Sequence, residues 1–423
     1  MLLLLFSCNA VVESTQKESI VLDTIHTPLL PLNNCQTSLP PILFVHGFLG
    51  AGDGFDRHAS RFAANQHCID HIYALDWNNL DQEGSLLSLS NFIDQILQQT
   101  GTTELDLIGH SAGGGLSLEL LNNPDEERIR KYIHVASTPI EEAPFVPTLN
   151  LYSTADRIVE GSAQSTTENI SLTEEDHFAV ITSEASFSAM YSFLYENPPT
   201  QSTRDLSDTP TIWGKAVDFG INLPTQGDVE VYELDAQTGR PIHPLPIYIQ
   251  ELGSSGYFGP MHFDSTKHYE IRLLPQEGPT IHHFFPPFTH DVRVIRLRSL
   301  PKEGLGAQFL SSLPLENDSG VSLVNYSAHS GMIVDRDQMR VDGIEQLNTD
   351  RANPENNTIA LFHCDMNTDQ VAGPDPSVFS LFTFLAGTDT YWEPSTESSI
   401  SVQLNDNVLN VPRYAEGIIL TVQ

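Results

Sequence analysis

The chain has 423 residues, 40% of them hydrophobic, which is ample for burying apolar surface but more than one core usually organises, so two or three domains are expected. Twenty basic residues against 55 acidic ones leave a formal charge of −35, which repels phosphate backbones and excludes nucleic-acid binding. No segment approaches the run of about 20 apolar residues that a membrane-spanning helix needs, and the acidic residues are scattered as on a solvated surface.

The N-terminus reads Met1-Leu2-Leu3-Leu4-Leu5-Phe6-Ser7-Cys8, an apolar run closing on Leu-Phe-Ser-Cys. It resembles the cleavage box of bacterial lipoproteins. The resemblance implies lipidation of Cys8 and export, giving an outer-membrane or cell-surface lipoprotein or, with a plain signal, a secreted protein. Six apolar residues with no Lys or Arg before them are short for an export signal, which fits a true start further upstream. Apart from Cys8 there remain Cys35, Cys68 and Cys364, an odd set that is no disulfide framework; a bridge between Cys35 and Cys68 stays open.

Residues 1–37 read as this signal segment and a polar tether. From residue 38 short apolar runs alternate with amphipathic stretches: strands at 42–45 and 72–75, a helix over 86–97, a strand at 105–108, a helix after Ser111, strands at 132–135 and 149–152, and a helix over 183–195. Strand and helix in alternation predict a mostly parallel sheet flanked by helices, a first domain covering 38–200. Glu196-Asn197-Pro198-Pro199-Thr200 closes it. Beyond residue 212 the helical period gives way to short β-rich runs such as Val229-Glu230-Val231-Tyr232, which predict an antiparallel, sandwich-like domain over 204–300. A proline-containing break at 301–306 sets off a further β-rich domain, 301–423.

Gly109-His110-Ser111-Ala112-Gly113 fits G-x-S-x-G, with a strand before it and a helix after it. That context makes it a nucleophile elbow: small residues at 109 and 113 let a sharp strand-to-helix turn lift the serine hydroxyl out of the sheet. Upstream, strand 42–45 runs into His46-Gly47-Phe48-Leu49-Gly50, where backbone N–H groups can face the oxyanion of a tetrahedral intermediate; Phe48 and Ala112 are the candidates.

A serine hydroxyl needs a histidine to take its proton and a carboxylate to hold that histidine. In elbow enzymes the acid and then the histidine follow the serine. Asp156, just past strand 149–152, is the expected acid, with Asp176 and Glu160 as alternatives. His134 sits inside an apolar strand, which leaves His177, in the polar run Glu174-Glu175-Asp176-His177-Phe178, as the expected base. The cluster His67-Cys68-x-x-His71 has metal-ligand residue types between an ordinary helix end and a strand start, so a structural role is preferred and no metal or organic cofactor is called for.

These pieces resemble the bacterial and archaeal lipases of the α/β-hydrolase superfamily, in particular those with a C-terminal β-domain. The likeness spans about residues 38–300. It is carried by the HGFLG loop, the elbow, the segment Tyr152-Ser153-Thr154-Ala155-Asp156, Asp176-His177, Gly256-Tyr257-Phe258-Gly259-Pro260 and Phe284-Phe285-Pro286-Pro287-Phe288. It implies hydrolysis of carboxylic or lipid esters, long acyl chains among them, with the β-domain shaping or shielding the acyl site and no obligate protein partner. The aromatics at 284–288 are read first as domain core. Between Ser111 and the strand that leads to Asp156 there is room for little more than one helix and one strand, so no helical lid is expected there, and at most a small flap at 140–147. The same residues would serve an amidase, peptidase or acyltransferase, and a non-catalytic surface binding lipoprotein is the rival from another class.

Overall fold

A computed structural model describes residues 39–79, 81–300, 304–315, 320–348, 357–373 and 382–423. Cys8, Cys35 and the expected tether lie outside these residues. Cys68 is disulfide-bonded and Cys364 is free and buried, so the partner of Cys68 is also outside them.

The first part is an α/β-hydrolase fold. Its strands are β1 (Ile42–Val45), β2 (Ile72–Leu75), β3 (Leu105–His110), β4 (Ile129–Val135), β5 (Thr148–Ser153) and β6 (Glu168–Leu172). They form one six-stranded parallel sheet in the order β2-β1-β3-β4-β5-β6. A parallel sheet needs cover on both faces, so its central strands are apolar throughout rather than alternating: every residue of β1 and β3 is buried.

The strand period of two divides these side chains between two layers. Ile42 and Phe44 pack with Phe55, Phe62, Phe187 and Met190 beneath α1 (Asp56–Ala64) and α4 (Glu184–Tyr195). Leu43 and Val45 pack with Leu89, Ile93 and Leu116 beneath α2 (Gln82–Thr100) and α3 (Ala112–Leu121). From β1 the chain crosses to β2 on one side, then returns to β3 on the other. This reversal of winding opens a crevice at the carboxyl ends of β1 and β3, where ligands bind in open α/β sheets.

Strand β6 has no counterpart in the sequence reading. Its Glu-Asn-Ile-Ser-Leu composition is polar and, as an edge strand, it stays half exposed, so no apolar run announces it.

The β-rich remainder is built on sheets of three, eight and four strands. The small sheet sets Thr211–Asp218 between Tyr257–His262 and Val292–Ser299. The eight-stranded sheet takes Gly227–Leu234, Tyr248–Leu252, His268–Pro275 and Ile281–Phe285 from before residue 301, and Ser322–Tyr326, Ala360–Cys364, Leu385–Asp389 and Ile418–Val422 from after it. The seam is the parallel pairing of Ile281–Phe285 with Ile418–Val422. The break at 301–306 therefore falls within a shared sheet and a shared core, in which Ile271 and Leu297 pack with Val324 and Phe362. The sheet is also mixed rather than purely antiparallel, since Ile418–Val422 runs parallel to both its neighbours. Phe284 and Phe285 point to opposite faces, one into each of the two β-region cores, as the core reading of these aromatics expects.

Two buried ion pairs fasten this region to the hydrolase domain. Arg298 makes a bidentate contact with Asp53 at 2.7 and 2.8 Å, and Arg296 Nε lies 3.0 and 2.9 Å from the two Asp76 oxygens. Burial alone would raise the Asp76 pKa, but Arg296 and Lys215 beside it hold it below the usual carboxylate range.

Candidate active site

Ser111 caps the end of β3 with φ 53° and ψ −123°, a conformation that L-residues adopt only under constraint. The neighbours of the turn explain why small residues flank it. A Cβ on Gly109 would lie 2.7 Å from Ser117 Oγ and 2.8 Å from the Gly113 oxygen, and one on Gly113 would collide with the carbonyl oxygens of Val45 and His46. The turn is pinned from below, since Ser111 N–H donates to the Val135 oxygen at 2.9 Å and Ser137 Oγ donates to the Ser111 oxygen at 2.5 Å.

The 46–50 turn stands against this elbow: a Cβ on Gly47 would come within 3.0 Å of Ser111 Cβ and 3.5 Å of its Oγ. Leu49 holds a positive φ of 56° and gives its N–H to Asn79 Oδ1 at 2.7 Å. Phe48 N–H has no acceptor among the described residues. Ala112 opens α3, where an N–H has no intrahelical acceptor.

His46 braces the turn. Its Nδ1 donates to the Gly47 oxygen at 2.8 Å, while Nε2 accepts from Asn222 Nδ2 at 3.2 Å and from the Trp77 N–H at 3.3 Å. That pattern requires the neutral ring, and burial accordingly pushes its pKa down to about 4. Asn222, from the β-region, also donates to the Gly50 and Trp77 oxygens at 2.9 and 3.0 Å, so the turn is held partly from outside its own domain.

His177 follows β6 on a short loop, and its Nδ1 donates to Asp156 Oδ2 at 2.7 Å. Asp156, past the end of β5, is itself fixed, because its Oδ1 accepts the N–H groups of Ile158 and Val159 at 2.8 and 2.9 Å. Both side chains are buried. His110, named from sequence only as part of the elbow, places its Nε2 2.9 Å from the His177 carbonyl oxygen. It thereby ties the serine strand to the histidine loop, and burial holds its ring well below the ordinary histidine pKa.

The alternative acids are disposed otherwise. Glu160 is exposed. Asp176 turns away from the ring of its neighbour: Oδ1 accepts from the N–H groups of Phe178, Ala179 and Gly331, at 2.9, 2.9 and 3.0 Å, and Oδ2 from Arg336 at 2.9 Å. His134 bonds to Tyr132 and the Thr138 oxygen, and His67 faces the Pro40 and Cys68 carbonyls. A serine–histidine hydrogen bond lies elsewhere, from Ser186 Oγ to His58 Nε2 at 3.1 Å, fully buried between α1 and α4, with Arg61 rather than a carboxylate at the other ring nitrogen.

Ser111 and His177 line one cavity of about 170 Å³, together with Phe48 and Leu49. Among the described residues the Ser111 hydroxyl makes no hydrogen bond, that to His177 Nε2 included. The opposite wall is supplied by Tyr326, Ser327, Ala328, Ile359 and Phe384 of the β-region, which sequence reasoning had left without a role. Leu49, Tyr326 and Ile359 also border a second, almost wholly apolar cavity that runs on between Leu310, Leu385 and Leu420.

Residues 40–179 match the family described as alpha/beta hydrolase fold, and residues 208–301 match the lipase C-terminal domain. Among solved structures the chain is similar to a predicted CIB-like hydrolase from Thermoplasma acidophilum, at 19% identity and a TM-score of 0.32 over 40% of this chain and 90% of that one. It is similar to lipase B of Aspergillus fumigatus, at 13% identity and a TM-score of 0.33 over 41% of this chain and 57% of that one. It is also similar to a carboxylesterase of Bacillus subtilis, at 12% identity and a TM-score of 0.29 over 38% of this chain and 85% of that one.

Proposed function

We propose that this chain, a lipase-like α/β-hydrolase with a C-terminal β-domain, cleaves carboxylic esters by acyl transfer through Ser111. The observation that carries the reading is a serine on a strained elbow sharing a cavity with a histidine whose far nitrogen is held by a buried carboxylate. His177 takes the proton as the Ser111 oxygen attacks the ester carbonyl. Asp156 keeps the ring in the Nδ1–H tautomer and offsets the charge it gains. The N–H groups of Phe48 and Ala112 receive the oxyanion, a contribution worth about 3–4 kcal/mol for one donor in enzymes of this kind. The alcohol leaves with the proton from His177, and water repeats the sequence on the acyl-enzyme.

A fluorophosphonate probe tests this directly. It is expected to label the wild-type chain and to spare Ser111→Ala; a wild-type chain that takes up no label while hydrolysing no ester would leave an inert binding domain instead.

The apolar cavity beyond Leu49 and Ile359, of about 60 Å³, extends the space beside Ser111 and supports an acyl chain of several carbons as the acid half of the substrate, since burying each methylene gains about 0.8 kcal/mol. On a series of p-nitrophenyl esters the wild type is expected to favour long over short acyl chains. Ile359→Trp, placed where the two cavities meet, is expected to cut kcat/KM for long chains by roughly tenfold or more while sparing acetate and butyrate esters. An unchanged chain-length profile would remove the apolar cavity from the acyl path.

A further inference from the structure

A third cavity, of about 260 Å³, is lined by residues of α1, of the 285–292 segment and by Ala328 and His329. Ala328 lines both it and the catalytic cavity. In a chain with a formal charge of −35 its lining is anomalous, for Arg57, Arg204, His290 and His329 all face it. The other charged groups there are largely spent on one another: Arg296 is paired with Asp76, and Asp53 with Arg298.

Arg57 and Arg204 form no ion pair or side-chain hydrogen bond among the described residues, and Arg57 Nε and His329 Nδ1 are buried with no partner. Buried polar atoms of this kind are costly to leave without a partner. Among the described residues Asp56 is the only carboxylate in the lining not already matched to a cation, so two guanidiniums face one carboxylate there, while Asp205 acts on His290 from beyond the lining. Burial lifts the Asp56 pKa, which reduces even that offset. Burial together with Arg204 and Arg57 keeps His290 down to about 4, and His329 is held low in the same way, so both rings are neutral and each can offer one N–H without adding charge.

We propose that this cavity is a binding site for a phosphate-class oxyanion, gripped by Arg57 and Arg204 and completed by N–H groups of His290 and His329. The donors come from four separate stretches of chain, which suits a tetrahedral group presenting oxygens in several directions better than a planar carboxylate, and unpaired guanidiniums are the usual partners of phosphate. The phosphate can be free, or it can belong to an ester whose acyl group reaches Ser111 around Ala328.

Isothermal titration of the full chain with inorganic phosphate, at constant ionic strength and with acetate as the control, reads the site without any hydrolysis, so it can fail independently of the proposed esterase activity. Saturable phosphate binding, weakened roughly tenfold or more in Arg204→Gln and in Arg57→Gln and partly recovered in Arg204→Lys, is the expected result. Arg204 is half exposed, so its variant is expected to fold even where the more enclosed Arg57 variant does not. Absence of saturable phosphate heat, equal binding of acetate, or undiminished binding in Arg204→Gln would each overturn the proposal. The two sources separate on vesicles: if Arg204→Gln loses activity on phosphatidylglycerol but keeps it on diacylglycerol and on p-nitrophenyl butyrate, the anion is a lipid headgroup; if phosphate binds yet all three substrates are unaffected, the anion is free.

Discussion

Asp156→Asn is expected to lower kcat for ester hydrolysis by about 10⁴-fold at neutral pH, with KM little changed. The Asn oxygen can keep the N–H groups of Ile158 and Val159 that Asp156 Oδ1 accepts, so the loop survives. What changes is the partner of His177 Nδ1, now 2.7 Å from a carboxylate oxygen. An amide NH₂ in that place favours a ring protonated on Nε2, which points a proton at Ser111 instead of a lone pair, and it no longer stabilises the imidazolium that must form. Steady-state kinetics on a p-nitrophenyl ester, with the melting temperature as a check on folding, measure the effect. A loss below about tenfold would mean that Asp156 is a loop-shaping residue and that the base is oriented by something else.

Asp176→Ala is expected to lower the free energy of unfolding by about 3–5 kcal/mol, and activity by more than the lost stability explains. The carboxylate is buried and accepts four donors, two within the histidine loop and two from the β-region. Truncation strands the N–H groups of Phe178, Ala179 and Gly331 and releases the residue next to His177. Arg336→Gln removes only the half-exposed member of the pair, so it should cost a smaller part of the same total. Urea titration followed by tryptophan fluorescence gives the stability, and kcat in the absence of urea gives the positioning effect. If Asp176→Ala unfolds at the wild-type urea concentration, the domain contact does not hold the histidine loop.

The turn at Ser111 and the candidate residues around it were easier to pick out of the sequence than the contacts that surround them. Gly109 to Gly113 could be read because the constraint is local: a strand, a turn needing small neighbours and a helix follow one another in the chain. Asp156 and His177 could be placed because the fold orders them after the serine, although the strand carrying the His177 loop could not be seen: the half-exposed, polar edge strand β6 lacks an apolar signature. Asn222, Arg336 and Tyr326 were beyond reach. Each acts across a contact between regions distant in sequence, and no periodicity reports which polar residue of a β-rich stretch will meet the 46–50 turn or the His177 loop. The break at 301–306 was visible, but not that the next strands return to the same sheet, because a turn signal carries no information on what the following strand pairs with.

The strand Ile418–Val422 sits between Ile281–Phe285 and Ser322–Tyr326, and comes after every other described strand in the chain. During synthesis the two halves of that sheet therefore wait, each with an open edge, for a segment that emerges when the elbow and the histidine loop have long been made. Since Asp176 reaches a partner 160 residues later, a nascent chain carries all three proposed reactive side chains well before it carries the wall that encloses them. Competence would then arrive late and abruptly, with a slow search over long loops setting its pace.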